Sequence, residues 1–195
     1  IVGKFGFACS TLCVKVCRCA TGALRARQYS SGYDTSLDAR LASSLRLIKC
    51  FVNFAPPRQL SLTSVSTRPT LLYTDASDVP GRKEGRCIVG AVLDSPLLAR
   101  LQYTYWVVPQ EVVDRWIPKQ TQMGQLEIFA GPLALGTWDD WLIDKQCLHF
   151  VDNDSATACL VKGYSPRVDS PALVGDYWLR VAKAKMEVYV ARFES

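Results

Sequence analysis

The sequence predicts an α/β domain built on a mixed five-stranded sheet with flanking helices, preceded by an N-terminal helical arm. Three observations support this fold class. Strand-like segments follow one another directly between residues 71 and 109. Helical and strand-like segments alternate after residue 123, and residues 1–58 show helical spacing of apolar residues with an excess of basic ones. We therefore expect three antiparallel strands followed by α/β alternation.

The arm contains two predicted helices. Apolar and small residues recur at three- and four-residue spacing over residues 1–28, and a second such pattern begins after Ser36, a candidate N-cap. Pro56 and Pro57 end the second helix. The polar stretch 59–70 lacks periodicity and is interpreted as a linker. The predicted organisation is an arm at 1–58, a linker at 59–70 and a domain at 71–195.

The first half of the domain is a predicted meander of three strands. They cover residues 71–77, 87–94 and 101–109, and the turn-rich stretch 78–86 separates the first two. Residues 110–122 fit neither periodicity and stay unassigned. Such short connections favour antiparallel pairing.

The second half alternates helices and strands. Gly131 and Pro132 are expected to kink the first of these helices, Gly163 to end the second, and Ser170 with Pro171 to start the third. The predicted elements are a helix at 123–142, a strand at 146–154, helices at 155–163 and 170–185, and a strand at 187–193.

Composition and charge indicate a globular protein that binds charged partners. The chain of 195 residues is 49% hydrophobic, which is typical of a globular protein with a core. Residues 1–70 carry a net charge of +8 and residues 71–195 a net charge of −3, as expected for a protein that binds a polyanion with one part and cations with another. No apolar run reaches the roughly 18 residues of a membrane span. The eight cysteines are interpreted as small apolar residues of a reducing compartment, so an intracellular location (cytoplasm or nucleus) without a membrane partner is expected.

Three acidic residues are the candidate catalytic and metal-binding residues. Asp75 and Asp152 each follow an apolar strand-like run, and Glu127 lies near the start of the helix between them. If the first and fourth strands are neighbours, these carboxylates meet at one edge of the sheet. Their mutual repulsion would require a cation, and oxygen ligands favour Mg²⁺ or Mn²⁺. Two such ions about 4 Å apart could assist cleavage of a phosphodiester.

Each acid alone also has a structural explanation. Aspartates at strand ends are common turn formers. Glu127 by itself could be a solvated helix residue or a partner of the helix dipole. The order of the three elements that carry these acids, strand, helix and strand, favours the metal site.

The segments "YTDAS", "QLEIFA" and "HFVDN" resemble the ribonuclease H-like domain of retroelement reverse transcriptases. The resemblance spans about residues 71–195, and the Asp152-Asn153 pair is similar to elements of the DIRS and plant-pararetrovirus group. It implies that Asp75, Glu127 and Asp152 bind two Mg²⁺ ions and that the domain cleaves the RNA strand of RNA–DNA hybrids.

The same resemblance carries further expectations about the whole chain. Residues 1–58 are similar to the thumb or connection that follows a polymerase palm, so the palm of the same retrotransposon polyprotein is an expected partner. The family's fourth acid lies beyond the last strand, and this chain ends at "RFES", so the domain is expected to be truncated at its C terminus. Asp154 and Asp169 are possible substitutes for that acid.

Two other functions remain open. The first is a catalytically inactive nucleic-acid-binding or connection module, and the second is a related nuclease or integrase with another substrate. Trp116 is the expected exposed tryptophan for stacking on a sugar or base. Trp141 is expected to face inward on the helix at 123–142, and His149 is interpreted as a core or sheet residue. The candidate nucleic-acid-binding residues are Arg82, Lys83, Arg86, Asn153, Lys162 and Arg167.

Overall fold

The computed structural model of the chain describes residues 7, 15, 18–30, 32, 35–54, 68–79, 81, 86–167 and 169–193. Its centre is a five-stranded sheet in the order β3-β2-β1-β4-β5. The strands are β1 (Thr70–Asp78), β2 (Cys87–Asp94), β3 (Gln102–Val107), β4 (Gln146–Val151) and β5 (Glu187–Arg192).

Strand directions confirm the predicted fold class. β1 pairs antiparallel with β2, and β2 pairs antiparallel with β3, as the short connections required. β1 pairs parallel with β4 and β4 pairs parallel with β5, each across a helical connection. The result is the predicted mixed five-stranded sheet with flanking helices, and it places β1 and β4 side by side.

Five helices accompany the sheet in the part of the domain that the structure describes. They are α3 (Gln110–Val113), α4 (Met123–Thr137), α5 (Asp139–Leu142), α6 (Asp154–Lys162) and α7 (Pro171–Lys183). α4 runs through Pro132 as one helix. The prediction of a helix to Leu142 was wrong, because the backbone leaves helical geometry at Trp138 and a separate turn, α5, follows.

Two predicted helix boundaries agree with the structure. α6 ends at Gly163, whose φ of 74° is the left-handed conformation that glycine adopts without strain. α7 begins with Pro171 in its first turn after Ser170. The Ser170 hydroxyl does not cap the helix, however, since it donates to Asp169 Oδ1 instead.

The core lies between one face of the sheet and helices α4, α6 and α7. Strand residues that face these helices are buried, among them Leu72, Val89 and Val151. Gly131 permits the close approach of α4 and α7, because a Cβ there would lie 2.9 Å from Tyr177 Cδ2. The opposite face of the sheet is partly exposed and rich in aromatic residues. Tyr103 on this face is 82% exposed.

Two helices of the predicted arm are described, α1 (Arg18–Gln28) and α2 (Ala39–Phe54). Asp38 caps α2, because its Oδ1 accepts a 2.6 Å hydrogen bond from the Leu41 N–H, so the prediction of Ser36 as the cap was wrong. α1 packs on α2 and α7, where a Cβ on Gly175 would lie 3.1 Å from Cys19 Sγ. Most of the predicted helix at 1–28 before Arg18, and most of the linker at 59–70, lie outside the described residues.

None of the described helices is a candidate membrane span. Among the residues that the structure describes, every helix is too short or too polar to cross a bilayer.

Candidate metal centre

The parallel pairing of β1 with β4 brings two of the three candidate acids together. Thr74 is in register with Val151, so the residues that follow them, Asp75 and Asp152, emerge at the same edge of the sheet. Asp75 is exposed and Asp152 is half-buried. The edge therefore presents two carboxylates to solvent from neighbouring strands.

Glu127 reaches this edge from the second turn of α4. Its side chain is only 1% exposed, because α4 packs along β1 and β2. One carboxylate oxygen each of Asp75, Glu127 and Asp152 lies within 4.8 Å of the others. Residues that are far apart in the sequence thus form one compact cluster of carboxylates.

It is electrostatically unfavourable for all three carboxyl groups of the cluster to be ionised at once. Burial, followed by the negative charges of Asp152 and Asp75, raises the pKa of Glu127 to about 8. A hydrogen bond with the Asp152 side chain also raises this pKa, while the Ala76 backbone N–H lowers it. At neutral pH the Glu127 carboxyl group is consequently protonated in the free protein.

Two atoms of the cluster show what it is suited to hold. Glu127 Oε2 is buried without any hydrogen-bond partner, and a buried polar atom of this kind is costly unless a ligand satisfies it. Asp75 Oδ1 accepts a 2.8 Å hydrogen bond from the Ala76 N–H, which orients its carboxylate. An all-oxygen set of carboxylates with one oxygen unpaired fits a hard divalent cation such as Mg²⁺ or Mn²⁺.

A buried chain of hydrogen bonds lies beneath the acids. His149, which is fully buried in β4, places Nε2 2.8 Å from Thr74 Oγ1 and Nδ1 2.9 Å from the Tyr177 hydroxyl. Burial lowers the pKa of His149 to about 3, so its imidazole is neutral. The interpretation of His149 as a core residue agrees with this position. The hydrogen bonds link β1, β4 and α7 through Thr74, the residue before Asp75.

The segment before α4 is fixed by two aspartates outside the cluster. Asp169 accepts hydrogen bonds from Gln125 Nε2 at 2.7 Å and Lys119 Nζ at 3.0 Å. Asp78 accepts from the Gln122 N–H at 2.7 Å. These contacts hold the first turn of α4 in place. They join residues that are 44 to 50 positions apart, so no local sequence pattern predicts them.

The two proposed substitutes for a fourth acid are engaged elsewhere. Asp154 Oδ1 lies 3.1 Å from Arg192 Nη1, and Asp169 is held by Lys119 as described above. Among the described residues, the cluster contains three carboxylates and neither of these two.

The candidate nucleic-acid-binding residues have unlike surroundings. Arg86 forms an ion pair with the buried Asp78, with Nε 2.7 Å from Oδ1, and Asn153 caps α6 by accepting the Ala156 N–H. Lys162 is exposed at the end of α6. The exposed Arg167 has Nη1 3.8 Å from the position of a Cβ on Gly124, at the start of α4. Arg82 and Lys83 lie outside the described residues.

Two tryptophans do not lie where the sequence placed them. Trp116 was expected to be exposed, but it is 7% exposed and packs edge-on against Phe129 at 5.9 Å between ring centroids. Trp141 was expected to face inward and is 45% exposed, because α5 turns it away from the core.

Of three comparisons of the chain with known proteins, the one with solved structures found a similarity. No protein-family model matches it, and no curated protein matches it. Among solved structures it is similar to ribonuclease H1 from the halophilic archaeon Halobacterium salinarum NRC-1, with 14% sequence identity and a TM-score of 0.44. That similarity covers 65% of this chain and 86% of the archaeal one.

Proposed function

We propose that the chain is a divalent-metal-dependent endonuclease that cleaves the RNA strand of RNA–DNA hybrids. The cluster of Asp75, Glu127 and Asp152 carries this proposal, because three carboxylate oxygens lie within 4.8 Å of one another at an open edge of the sheet. An isolated group of this kind is electrostatically unfavourable, so its value to the protein lies in what it binds.

The three acids would hold one or two Mg²⁺ or Mn²⁺ ions. When bound, these ions would supply the positive charge that stabilises a phosphodiester under attack by water. The exposed position of Asp75 leaves room for a polymeric substrate beside the site.

The chain's own residues prepare this site in three ways. The register of β1 and β4 fixes the separation of Asp75 and Asp152. Burial holds Glu127 in one orientation and keeps a proton on it until a cation arrives. The Asn153 cap starts α6 immediately after Asp152 and so fixes the backbone that carries this acid.

We propose a retroelement reverse transcriptase as the context of this activity. The "YTDAS", "QLEIFA" and "HFVDN" segments support it through their resemblance to that family. In this context, residues 1–58 are a thumb-like or connection-like arm, residues 59–70 a linker, and the polymerase palm of the same polyprotein a partner.

A second candidate function is a catalytically inactive module that binds RNA–DNA hybrids. The absence of Asp154 and Asp169 from the cluster favours it, because the cluster then offers only three carboxylates among the described residues to two ions. Such a module would bind hybrids in a salt-dependent manner and cleave none.

Cleavage of a labelled RNA–DNA hybrid with Mg²⁺ and with Mn²⁺ tests the proposal. We expect cleavage of the RNA strand and its loss in Asp75→Asn, with Asp154→Asn as a matched control that keeps activity. Full activity of Asp75→Asn would refute the assigned site, and binding without cleavage under either ion would favour the inactive module.

A further inference from the structure

A basic cavity separate from the acids lies between the arm and the domain. Its volume is about 660 Å³, and it is enclosed by α1, α2 and the segment that leads into α7. Arg18 and Arg25 of α1 and Arg40 of α2 line it, together with Tyr164 and Ser165. Among the described residues that line it there is no aspartate or glutamate, so these arginines have no acidic partner within the described lining.

The arginines of this cavity are available to a ligand. In the part of the chain that the structure describes, neither Arg25 nor Arg40 forms an ion pair with an acidic residue, in contrast to Arg27, which lies 3.7 Å from Asp38. Arg18 uses Nη1 to donate to the Lys162 carbonyl, which leaves its charge unbalanced. Guanidinium groups gathered in this way favour phosphate oxygens, which they bind through paired N–H donors.

Backbone and hydroxyl groups add to this preference for an anion. Pro171 and Ala172, the first residues of the 13-residue helix α7, line the cavity. The Ser170 side chain does not cap α7, so it leaves the backbone N–H groups of the first turn to another acceptor on this side of the cavity. Ser43 and Ser165 contribute hydroxyl donors to the lining.

The position of the cavity suits a polymer that also reaches the acids. Arg18 is bonded to the last residue of α6, and α6 begins two residues after Asp152. A helix of this length spans roughly 13 Å, which corresponds to about four nucleotides of one strand. One bound nucleic acid could therefore contact both places.

We propose that this cavity binds backbone phosphates of the RNA–DNA hybrid and anchors it a few nucleotides from the cluster of acids. The identity of the polymer rests on the proposed function, whereas the preference for phosphate follows from the lining of the cavity. The arm thereby acts in substrate binding and not only as a covalent connection.

Binding measured without divalent ions tests this proposal independently of cleavage. The measurement is the fluorescence anisotropy of a labelled 20-base-pair hybrid in EDTA, between 50 and 200 mM NaCl. For the triple variant Arg18→Gln, Arg25→Gln, Arg40→Gln we expect at least tenfold weaker binding at 100 mM NaCl. We also expect the slope of log K against log salt to fall by about 2 to 3, since each lost phosphate contact removes about 0.9.

The matched control removes the same charge from exposed arginines outside the cavity. The control is the triple variant Arg46→Gln, Arg100→Gln, Arg115→Gln. We expect its affinity for the hybrid to lie within about threefold of that of the unmodified chain. Equal affinity and equal salt slope in the two triple variants would overturn the proposal.

A second pair of variants keeps every arginine, in case the triple variant does not fold. Ser43→Asp places a carboxylate in the cavity and is expected to weaken binding, whereas Ser43→Asn is expected to preserve it. Equal binding by these two variants would also count against the site.

The two experiments distinguish failure of the proposed metal site from failure of the proposed phosphate-binding cavity. If Asp75→Asn still cleaves but the cavity variants bind weakly, the anchor stands and the assigned metal site fails. If the cavity variants bind normally and Asp75→Asn is inactive, the reverse holds.

Discussion

Glu127 and Asp152 each bring one carboxylate oxygen to within 4.8 Å of the other, and two carboxyl groups at this distance repel each other when both are ionised. Burial of Glu127 and the charges of Asp152 and Asp75 identify Glu127 as the protonated member, with a pKa of about 8. The free protein thus stores a proton where the proposed function requires a cation.

Cation binding should therefore release a proton. At pH 7, below the raised pKa of Glu127, we expect about one proton released per protein when Mg²⁺ or Mn²⁺ binds, and close to none at pH 9.5. Titration calorimetry in buffers of different ionisation enthalpy measures this number. Glu127→Gln should bind the ion more weakly and release no proton at pH 7, and an equal proton count at both pH values would contradict the assignment.

Removal of the Glu127 charge should stabilise the metal-free protein in alkaline solution. Its pKa is about 8 in the folded state and near 4.5 when exposed, so the free energy of unfolding falls as pH rises from 4.5 to 8. Glu127→Gln lacks this dependence and should be more stable at pH 9 by on the order of 3 kcal/mol. Thermal melts in EDTA at pH 5 and pH 9 test this, with Asp154→Asn as the control that shows no such gain.

His149 should make the fold sensitive to acid. Its pKa is about 3 when folded and near 6.5 when exposed, so the unfolded state binds the proton first and stability is lost as pH falls from 6.5 towards 3. His149→Leu should cost about 2–4 kcal/mol at pH 7, since it leaves the Thr74 and Tyr177 hydroxyls without this partner. The deficit should shrink at pH 4.

Urea denaturation at pH 7 and pH 4 checks the expectation for His149. Tyr177→Phe is the control, because it removes one hydrogen bond and keeps the buried imidazole. A deficit of His149→Leu that is the same at both pH values would show that the imidazole is not held neutral.

Gly131 should not tolerate a methyl group. A Cβ there would lie 2.9 Å from Tyr177 Cδ2 and 3.3 Å from His149 Cε1, both in the buried core. Gly131→Ala should lower the free energy of unfolding by about 1–3 kcal/mol despite the better helix propensity of alanine. Gly124→Ala on the same helix is the matched control, because its nearest atom is 3.8 Å away on the exposed Arg167, and it should be neutral or stabilising in the same denaturation experiment.

Arg86 should affect stability more than binding. It pairs with Asp78, whose side chain is fully buried and also accepts the Gln122 N–H. Arg86→Gln should lower the free energy of unfolding, because it leaves the buried Asp78 carboxylate without its cationic partner. Hybrid binding, measured under conditions where the variant is folded, should change little, and a large loss of binding with unchanged stability would restore Arg86 as a phosphate contact.

The sequence predicted the sheet because its signals are local. Apolar runs ending in Asp75 and Asp152 identify strands, and Gly163 and Pro171 identify helix ends without knowledge of neighbours. The meeting of the acids was predictable for the same reason, since the carboxyl ends of adjacent parallel strands share one edge. Their functional role remains a prediction.

Other features depend on contacts that no local pattern reveals. Residues 110–122 fitted no periodicity because Asp78 and Asp169 hold them through side-chain hydrogen bonds across the fold. Trp116 is buried against Phe129 of α4. The sequence around Trp116 is polar, so it does not predict this burial. The basic cavity likewise arises where α1, α2 and the start of α7 meet, so no single segment carries its pattern.

The parallel pairing of β1 with β4 also determines when the acid cluster can exist. Thr74 and His149, which are hydrogen-bonded across these strands, are 75 residues apart, and such distant pairings form slowly. A nascent chain emerging from the ribosome would therefore expose Asp75 and Glu127 well before β4 was available to complete the cluster. Under the proposed function, the chain could bind its cation only after the whole sheet had assembled.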